Sequence, residues 1–307
     1  MTSETIRLPA REVPVLTETD VVVCGGGPAG CAAALGAARH GARVLLLEQE
    51  GFLGGATVAQ LVFVILSTNG QDFQGVWHHW IRALRRHEGV GPLDRQDNHG
   101  SRWYVGSVHP EAVKLAWDDL LSEAGVDLLH HVTLTDTLVT DGAATGVVIE
   151  TRAGPRAVRA ARVIDATGDG AAGARAGAPF ASGADGAPWA MGVGMVVRFG
   201  GVPVDADERT SLSGHGLGRA SGPHPELRKQ MYRLLEVDPL DPWDLTRASR
   251  EGRQRAVESL AAYRKAHDAP GVYLLDTASR PGVRSSRRLQ GIATVTKADA
   301  WDFVKHE

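Results

Sequence analysis

Two short apolar runs, separated by a glycine cluster and an alanine-rich stretch, open the regular part of the chain. Asp20–Cys24 and Ala42–Glu48 each predict a strand buried on both faces, because their apolar residues follow one another without alternation. Between them, Pro28–His40 predicts a helix whose small residues pack closely on a sheet. Strand, glycine turn, helix and strand within about 30 residues predict a right-handed βαβ unit with parallel strands.

After this unit the pattern first indicates helices and then alternating strands. Helices are predicted over Asp72–His87 and over Ser107–Ala124, which opens with the cap-like SVHPEAV, and residues 88–106 are expected to be irregular loop. Alternating stretches, separated by turn signals such as Asp141-Gly142, predict a β-meander that returns to the main sheet at Arg162–Ala166.

The last third of the chain is more polar and less regular. Met191–Phe199 and Val272–Asp276 are candidate strands, and residues 203–268 between them are expected to be polar with helical stretches, notably Arg247–His267.

These elements together predict an α/β fold in two parts. Residues 18–180 are expected to form a Rossmann-like domain with a βαβ unit, a parallel sheet and a β-meander. Residues 181–307 are expected to form an inserted α+β region that covers a substrate.

Composition and charge disfavour several classes of function. The chain has 33 Lys+Arg and 36 Asp+Glu, so no basic excess favours nucleic acid. The best apolar stretch, Ala59–Leu66, is too short for a membrane span, and the polar N-terminus is unlike a secretory signal, so a cytoplasmic protein is expected. Cys24 and Cys31 are expected to be small apolar fillers without a disulfide. No spacing of His, Cys and Asp indicates a metal site.

The glycine cluster after the first strand indicates a nucleotide site. Gly25, Gly27 and Gly30 satisfy G-x-G-x-x-G between a predicted strand and a predicted helix, the context that gives this motif its meaning. The first glycine permits a sharp turn, the second lets a pyrophosphate approach the backbone, and the third brings helix and sheet together. The helix N-terminus adds unpaired N–H groups and the positive end of its dipole.

An acidic residue follows at the expected distance. Glu48 ends the second predicted strand, 18 residues after Gly30, where a carboxylate can accept hydrogen bonds from an adenosine ribose and disfavours a 2′-phosphate. These features predict the ADP half that NAD and FAD share. GFLGGAT at 51–57 and VIDATGDG at 163–170 add further backbone against a longer ligand, which favours FAD and makes a plain NAD-dependent dehydrogenase the less favoured alternative.

The motifs GGGPAG (25–30), GFLGG (51–55), ATGDG (166–170) and GVRSSRR (282–288), with Glu48, extend the pattern over most of the chain. With them, the chain from about Asp20 onward resembles the FAD-dependent oxidoreductases of the glutathione-reductase-like superfamily. The resemblance implies an enzyme that binds FAD non-covalently and transfers hydride between a small organic substrate and flavin N5. The implied cofactor-binding residues are Gly25, Gly27, Pro28, Ala29, Gly30, Glu48, Gly54, Gly55, Thr57, Ala166, Thr167, Gly168 and Asp169.

The resemblance also leaves alternatives open. Such families continue past the arginine-rich motif with a segment that contacts the flavin ring, whereas 19 residues follow Arg288 here. We therefore expect that segment to be missing, and a second copy or a partner chain could complete the flavin site. A truncated or accessory flavoprotein chain and a flavin-dependent monooxygenase are the alternative functions.

Arg284 and His215 are the candidate catalytic residues. Arg284 lies in the densest arginine cluster, after a turn fixed by Pro281-Gly282, and a guanidinium there could bind a carboxylate or stabilise reduced flavin. His215 lies in the glycine-rich SGHGLGRASG and could transfer a proton, although an ordinary surface histidine is the commoner case. His130 and His131 are consecutive at a predicted strand start, so their side chains should point to opposite faces.

Overall fold

The computed structural model describes residues 4–62, 64–67, 75–91, 94–98, 101–182, 192–203, 219–221, 224–234 and 236–292. In these ranges the elements are, in chain order, β1 (Val15–Cys24), α1 (Pro28–Arg39), β2 (Val44–Leu47), α2 (Ala56–Ala59), β3 (Val64–Ser67), α3 (Val76–Arg86), β4 (Asp94–Asn98), β5 (Ser101–Ser107), α4 (Pro110–Glu123), β6 (Asp127–Leu129), β7 (Thr133–Thr140), β8 (Ala143–Thr151), β9 (Gly154–Asp165), α5 (Ala171–Arg175), β10 (Phe180–Ser182), β11 (Val193–Gly200), β12 (Arg219–Ser221), β13 (His224–Leu234), α6 (Pro242–His267), β14 (Tyr273–Thr277) and β15 (Arg287–Leu289).

The main sheet has the strand order β6-β2-β1-β9-β8-β7. β1 pairs in parallel with both β2 and β9, so that Cys24 stands opposite Leu47 on one side and Asp165 on the other. β7, β8 and β9 form the antiparallel meander. The predicted α/β fold, with its βαβ unit and its meander, is confirmed, and the carboxyl ends of β2, β1 and β9 meet at one edge.

The apolar run of β1 is buried on both faces, as its sequence predicts. Val22 and Val23 are fully buried, and because side chains alternate along a strand they enter different clusters. Val23 packs with α1, α3 and α4, whereas Val22 and Cys24 pack with residues of β8, β9 and α5. Helices on one face and meander residues on the other therefore hold the strand that leads into the glycine cluster.

The stretch 88–106, expected to be irregular loop, contains β4 and most of β5, so that prediction was wrong there. β5 pairs antiparallel with both β3 and β4 in the sheet order β3-β5-β4. The sequence DRQDN of β4 carries no apolar alternation. Its strand conformation follows from pairing with the β-prone RWYV of β5, which is a property of two segments and not of one.

The later sheet has the order β12-β13-β11-β14 and packs against α6. β11, β14 and α6 confirm the predicted strands and helix, with bounds that differ by at most five residues. The sequence pattern predicts no strand over His224–Leu234, yet this segment forms β13, because it pairs antiparallel with β11 from Val193 to Phe199. A Cβ on Gly252 of α6 would lie 2.3 Å from Met195 Cγ, so the small residue permits close packing of helix and sheet.

The last strand of the main sheet, β9, ends at Asp165, and β10 then pairs with β15 of the arginine-rich motif in a separate two-stranded sheet. We propose to keep the division at 180–181 as the boundary between the cofactor domain and the substrate region. With this boundary, β10 begins at the last residue of the cofactor domain and continues into the substrate region.

Candidate functional site

A cavity of about 630 Å³ lies where β1, β2 and β9 end. Open α/β sheets bind ligands outside the carboxyl ends of their strands, so its position is the expected one for this fold. Of the predicted cofactor-binding residues, ten line it: Gly25, Gly27, Pro28, Ala29, Glu48, Gly55, Ala166, Thr167, Gly168 and Asp169. The cavity therefore brings together three glycine-containing loops that are far apart in the sequence.

Gly25 and Gly30 make the turn into α1 possible. Gly25 has φ +105°, and a Cβ on it would lie 2.4 Å from the carbonyl oxygen of Ala166. A Cβ on Gly30 would lie 1.8 Å from the carbonyl oxygen of Gly25, so a side chain there would push the helix away from the turn. Gly30 does not line the cavity, and its part is to let the helix approach the sheet.

Gly27 and Gly55 lie next to each other in the wall of the cavity. A Cβ on Gly55 would lie 2.6 Å from Gly27 Cα, whereas a Cβ on Gly27 would lie 3.8 Å from Gly55 Cα. Gly54 N–H donates to the carbonyl of Gly26 (2.9 Å), which joins the two glycine loops. Bare backbone is therefore presented to the cavity from two loops at once.

The first turn of α1 lies in the same wall of the cavity as this backbone. Gly27 is the N-cap and makes no side-chain cap hydrogen bond. Cys31 N–H donates to Gly27 O (2.9 Å), so the amides of Ala29 and Gly30 lie before this bond, in the turn where a helix leaves N–H groups unpaired. Such a turn attracts anions.

Glu48 is buried at the wall and holds two loops. Its Oε2 accepts from Gly26 N–H (2.7 Å) and its Oε1 accepts from Glu50 N–H (2.8 Å). A Cβ on Gly26 would lie 2.5 Å from the side chain of Leu53 and 3.0 Å from Glu48 Oε2. Gly26 is therefore a structural residue of the site that the motif reasoning passed over, although its own position in the middle of GGG (25–27) was a signal.

The loop after β9 is held by its own hydrogen bonds. Asp165 Oδ1 accepts from both the backbone and the hydroxyl of Thr167 (3.1 and 2.7 Å), and its Oδ2 accepts from Gly173 N–H (2.9 Å). Ala166 N–H continues the sheet by donating to Cys24 O (2.9 Å). Asp165 thus fixes the loop that carries four of the lining residues.

Gly54 and Thr57 were predicted to bind the cofactor but do not line the cavity. A Cβ on Gly54 would meet Val58 and Val113 at 2.7 and 2.8 Å, so this glycine faces the packing with α4. Thr57 belongs to α2 and is not a lining residue. Their part in cofactor binding stays a prediction.

The structure describes one of the two catalytic candidates, Arg284. His215 lies outside the described residues. Arg284 is exposed and does not line the cavity, although Val283 beside it does. Arg280, which sequence reasoning did not select, lines the cavity together with Ser279 and Pro281.

His130 and His131 lie between β6 and β7 and do not begin a strand, so that prediction was wrong. His130 Nδ1 lies 2.9 Å from Glu50 O, and His131 N–H donates to the same oxygen (3.4 Å). His131 has φ +59°, because the backbone turns here to follow the residues after β2. Both histidines therefore support the loop that contains Glu48 and Glu50.

Both cysteines are buried and free, as predicted for apolar fillers. Burial raises the pKa of the Cys24 thiol to about 12, and burial also raises the pKa of Cys31. Cys31 Sγ donates to Gly26 O (3.2 Å), and Cys24 is at the cavity wall. Protonated thiols are poor nucleophiles, so neither cysteine is poised for reaction.

Within the ranges that the structure describes, no group of three His, Cys, Asp or Glu side chains is arranged to hold a metal ion. In the same part of the chain, no helix combines the length and the apolar character needed to cross a membrane.

Comparisons with known proteins agree with this architecture. A family model described as FAD dependent oxidoreductase matches residues 20–307. The thiamine thiazole synthase of Aeropyrum pernix is 33% identical over 162 residues, 49% of this chain and 54% of that protein. The chain thus spans about half the length of the curated relatives it matches.

Solved structures agree in fold. A geranylgeranyl bacteriochlorophyll reductase-like protein from Thermoplasma acidophilum superposes with a TM-score of 0.56 at 17% identity, over 87% of this chain and 66% of that one. The p-nitrophenol 4-monooxygenase of Pseudomonas putida gives 0.54 at 16% identity, over 89% of this chain and 68% of that one. At these identities the likeness concerns the fold alone.

Proposed function

The chain belongs to the FAD dependent oxidoreductase family and uses FAD as its cofactor; from this premise we propose that the cavity holds FAD non-covalently and that a hydride passes between a small organic substrate and flavin N5. The observation that carries the proposal is the meeting of the loops after β1, β2 and β9 around one cavity.

The backbone of the site suits the diphosphate of FAD. Gly27 and Gly55 expose main chain to the cavity, and no Cβ fits at Gly55. The first turn of α1 supplies N–H groups and the positive end of the helix dipole. We infer that these two elements bind the phosphates.

Glu48 suits the ribose of the adenosine. Each of its carboxylate oxygens accepts one backbone N–H, and each keeps a second lone pair for a hydroxyl donor. Because the group carries a negative charge when ionised, it would disfavour a 2′-phosphate. The neighbouring Ala166–Asp169 loop would run along the same ligand.

FAD, when bound, supplies the two-electron chemistry of hydride transfer, and the chain supplies binding, orientation and shelter from water. Pro239 and Leu245, from the start of the α6 region, add apolar surface to the cavity. We propose that the later part of the chain meets the substrate on this side. Arg284, one residue from the lining Val283, stays our candidate for an anionic substrate group, and His215 our candidate for proton transfer.

The cofactor is proposed to be non-covalent because the thiol at the wall is held protonated. Flavins attach to cysteine through sulfur, and the thiolate is the reactive form. The raised pKa of Cys24, about 12, keeps that form scarce at neutral pH.

A visible absorption spectrum of the purified protein tests the proposal. A flavin spectrum, release of unmodified FAD on denaturation, and bleaching by a substrate under anaerobic conditions are the expected results. Oxygen consumption that depends on flavin and needs no second electron acceptor would favour the monooxygenase alternative. Protein that stays colourless and cannot be reconstituted with FAD would overturn the proposal.

A further inference from the structure

We propose that Arg280 is a cofactor-binding residue whose guanidinium binds the diphosphate of FAD. The inference rests on the proposed function, since it requires that the cavity hold FAD. It assigns a residue from the later part of the chain, outside every motif of the sequence, to the phosphate end of the site.

The backbone of Arg280 is fixed to the end of α2. Its N–H donates to Ala59 O (3.2 Å), and the hydroxyl of Ser279 donates to the same oxygen (3.1 Å). α2 begins directly after Gly55, which faces Gly27 at the cavity wall. The segment after β14 is thereby anchored to the helix that starts at the glycine cradle.

The side chain of Arg280 crosses to the loop after β2. Its Nε donates to Glu50 Oε1 (2.7 Å), and its Nη2 lies 2.5 Å from the same oxygen. The Gln49 amide, with its oxygen turned toward Arg280, accepts from Nη2 (2.6 Å) and also from Nη1. A guanidinium has five N–H donors, so at least one remains for a ligand beyond these contacts. Gln49, Glu50 and Arg280 all line the cavity.

The described lining of the cavity offers few cations to a diphosphate. Among the described lining residues, three are acidic, Glu48, Glu50 and Asp169, and two are cationic, Arg175 and Arg280. Arg175 Nε donates to Thr135 O of β7 (2.8 Å), which places it on the meander side. Arg280 is the cation on the α2 side. A diphosphate with two negative charges would therefore be bound by the first turn of α1 and by Arg280, whose planar fork suits phosphate oxygens.

A purely structural role for the Glu50–Arg280 pair is the competing explanation. The two side chains are 29% and 39% exposed, and partly exposed ion pairs contribute little to stability. The two explanations differ in what the loss of each partner does. If the pair is only a tie between loops, losing Glu50 and losing Arg280 should have equal effects on ligand binding.

The experiment measures binding of FAD, ADP and adenosine to the full chain by flavin fluorescence and by competition. Arg280→Gln is expected to weaken FAD and ADP about 10- to 100-fold, the worth of a charge-assisted hydrogen bond, and to leave adenosine nearly unchanged. Glu50→Gln should retain FAD affinity to within about threefold, because it removes an acid beside the phosphates. Arg43→Gln is the matched control, since Arg43 pairs with Asp20 (2.9 Å) and does not line the cavity.

The possible outcomes distinguish failure of the proposed function from failure of the role of Arg280. Wild-type protein that binds neither FAD nor ADP overturns the proposed function. Wild-type binding with unchanged affinity in Arg280→Gln, or an equal loss in Glu50→Gln, overturns only the role of Arg280. Arg280→Lys, which keeps the charge and loses the fork, is measured in parallel in case Arg280→Gln does not fold: a loss of several-fold in ADP affinity supports the role, and no loss overturns it.

Discussion

Ser286 donates a hydrogen bond of 2.5 Å to Asp169 Oδ1, across 117 residues of sequence. Ser286 is almost fully buried, whereas Asp169 lines the cavity. Arg287 adds a second link by donating to the carbonyl oxygen of Asp169 (3.2 Å). The motif GVRSSRR therefore supports the ATGDG loop from behind, which gives this pair of motifs a shared physical purpose.

Ser286→Ala tests this support. Removing the hydroxyl leaves Asp169 Oδ1 without its buried donor, so the free energy of unfolding should fall by about 1 kcal/mol and FAD affinity several-fold. Urea unfolding and flavin titration measure the two effects. Ser285→Ala is the neighbouring control, because the bond to Asp169 Oδ1 comes from Ser286. Equal behaviour of the two variants would contradict the link.

Gly27→Ala should separate ligand binding from folding. The backbone at Gly27 has φ −72°, and an added Cβ would lie 3.8 Å from Gly55 Cα, so the fold should tolerate it. The methyl group would instead occupy the space in which a diphosphate approaches the main chain, and FAD affinity should fall at least about tenfold. Circular dichroism and flavin titration of the same sample check both parts.

Two glycines within α1, Gly30 and Gly36, are controls for the N-cap residue Gly27. Gly36→Ala adds a Cβ with nothing within 4 Å and should stabilise the helix by up to about 1 kcal/mol with no loss of FAD affinity. Gly30→Ala should destabilise the protein itself, because its Cβ would overlap Gly25 O at 1.8 Å. If Gly27→Ala lowered stability as much as Gly30→Ala, the distinction between cradle and packing glycine would be wrong.

Glu48→Gln tests the buried carboxylate. Both oxygens accept backbone N–H groups, from Gly26 and from Glu50, and an amide can satisfy only one of them. The variant should lose about 1–3 kcal/mol of unfolding free energy and should also bind FAD and ADP more weakly, whereas riboflavin, which lacks the adenosine, should compete unchanged. Thermal unfolding and competition titrations measure these effects, and unchanged ADP affinity would contradict the ribose assignment.

The local parts of the fold were predictable because their signals are local. β1, α1 and β2 follow from apolar runs around Gly25–Gly30, and their burial on both faces agrees with the unbroken apolar pattern. β4 and β13 were missed, since a polar strand becomes a strand through its partner. The same limit applies to the site: Arg280 meets Glu50 across 230 residues, and nothing in its own neighbourhood of sequence indicates that contact.

The motifs predicted where a residue lies in the fold better than they predicted which neighbours its Cβ position faces. Gly54 lies in the predicted loop but faces Val113 of α4, because its φ of +108° turns the Cβ position into the core. Gly26, in contrast, must be small for Leu53 and Glu48, although G-x-G-x-x-G leaves its position open. Direction depends on backbone dihedral angles and on neighbours from other elements, which a linear motif does not contain.

The buried thiol of Cys24 gives a prediction about pH. Burial raises its pKa from 9.0 to about 12, so the folded state keeps the proton to higher pH than the unfolded state does. The contribution of this group to stability is therefore complete below about pH 9 and declines as pH rises toward 12. Urea unfolding of Cys24→Ala and wild type between pH 7 and about 10 should show a smaller fall of stability with pH in the variant.

The same buried thiol gives a prediction about labelling. In the native protein near neutral pH, a thiol reagent should label Cys24 only as fast as the protein unfolds. Rapid labelling of folded protein would show that the thiol is reached and ionised, and would also reopen covalent attachment of the flavin.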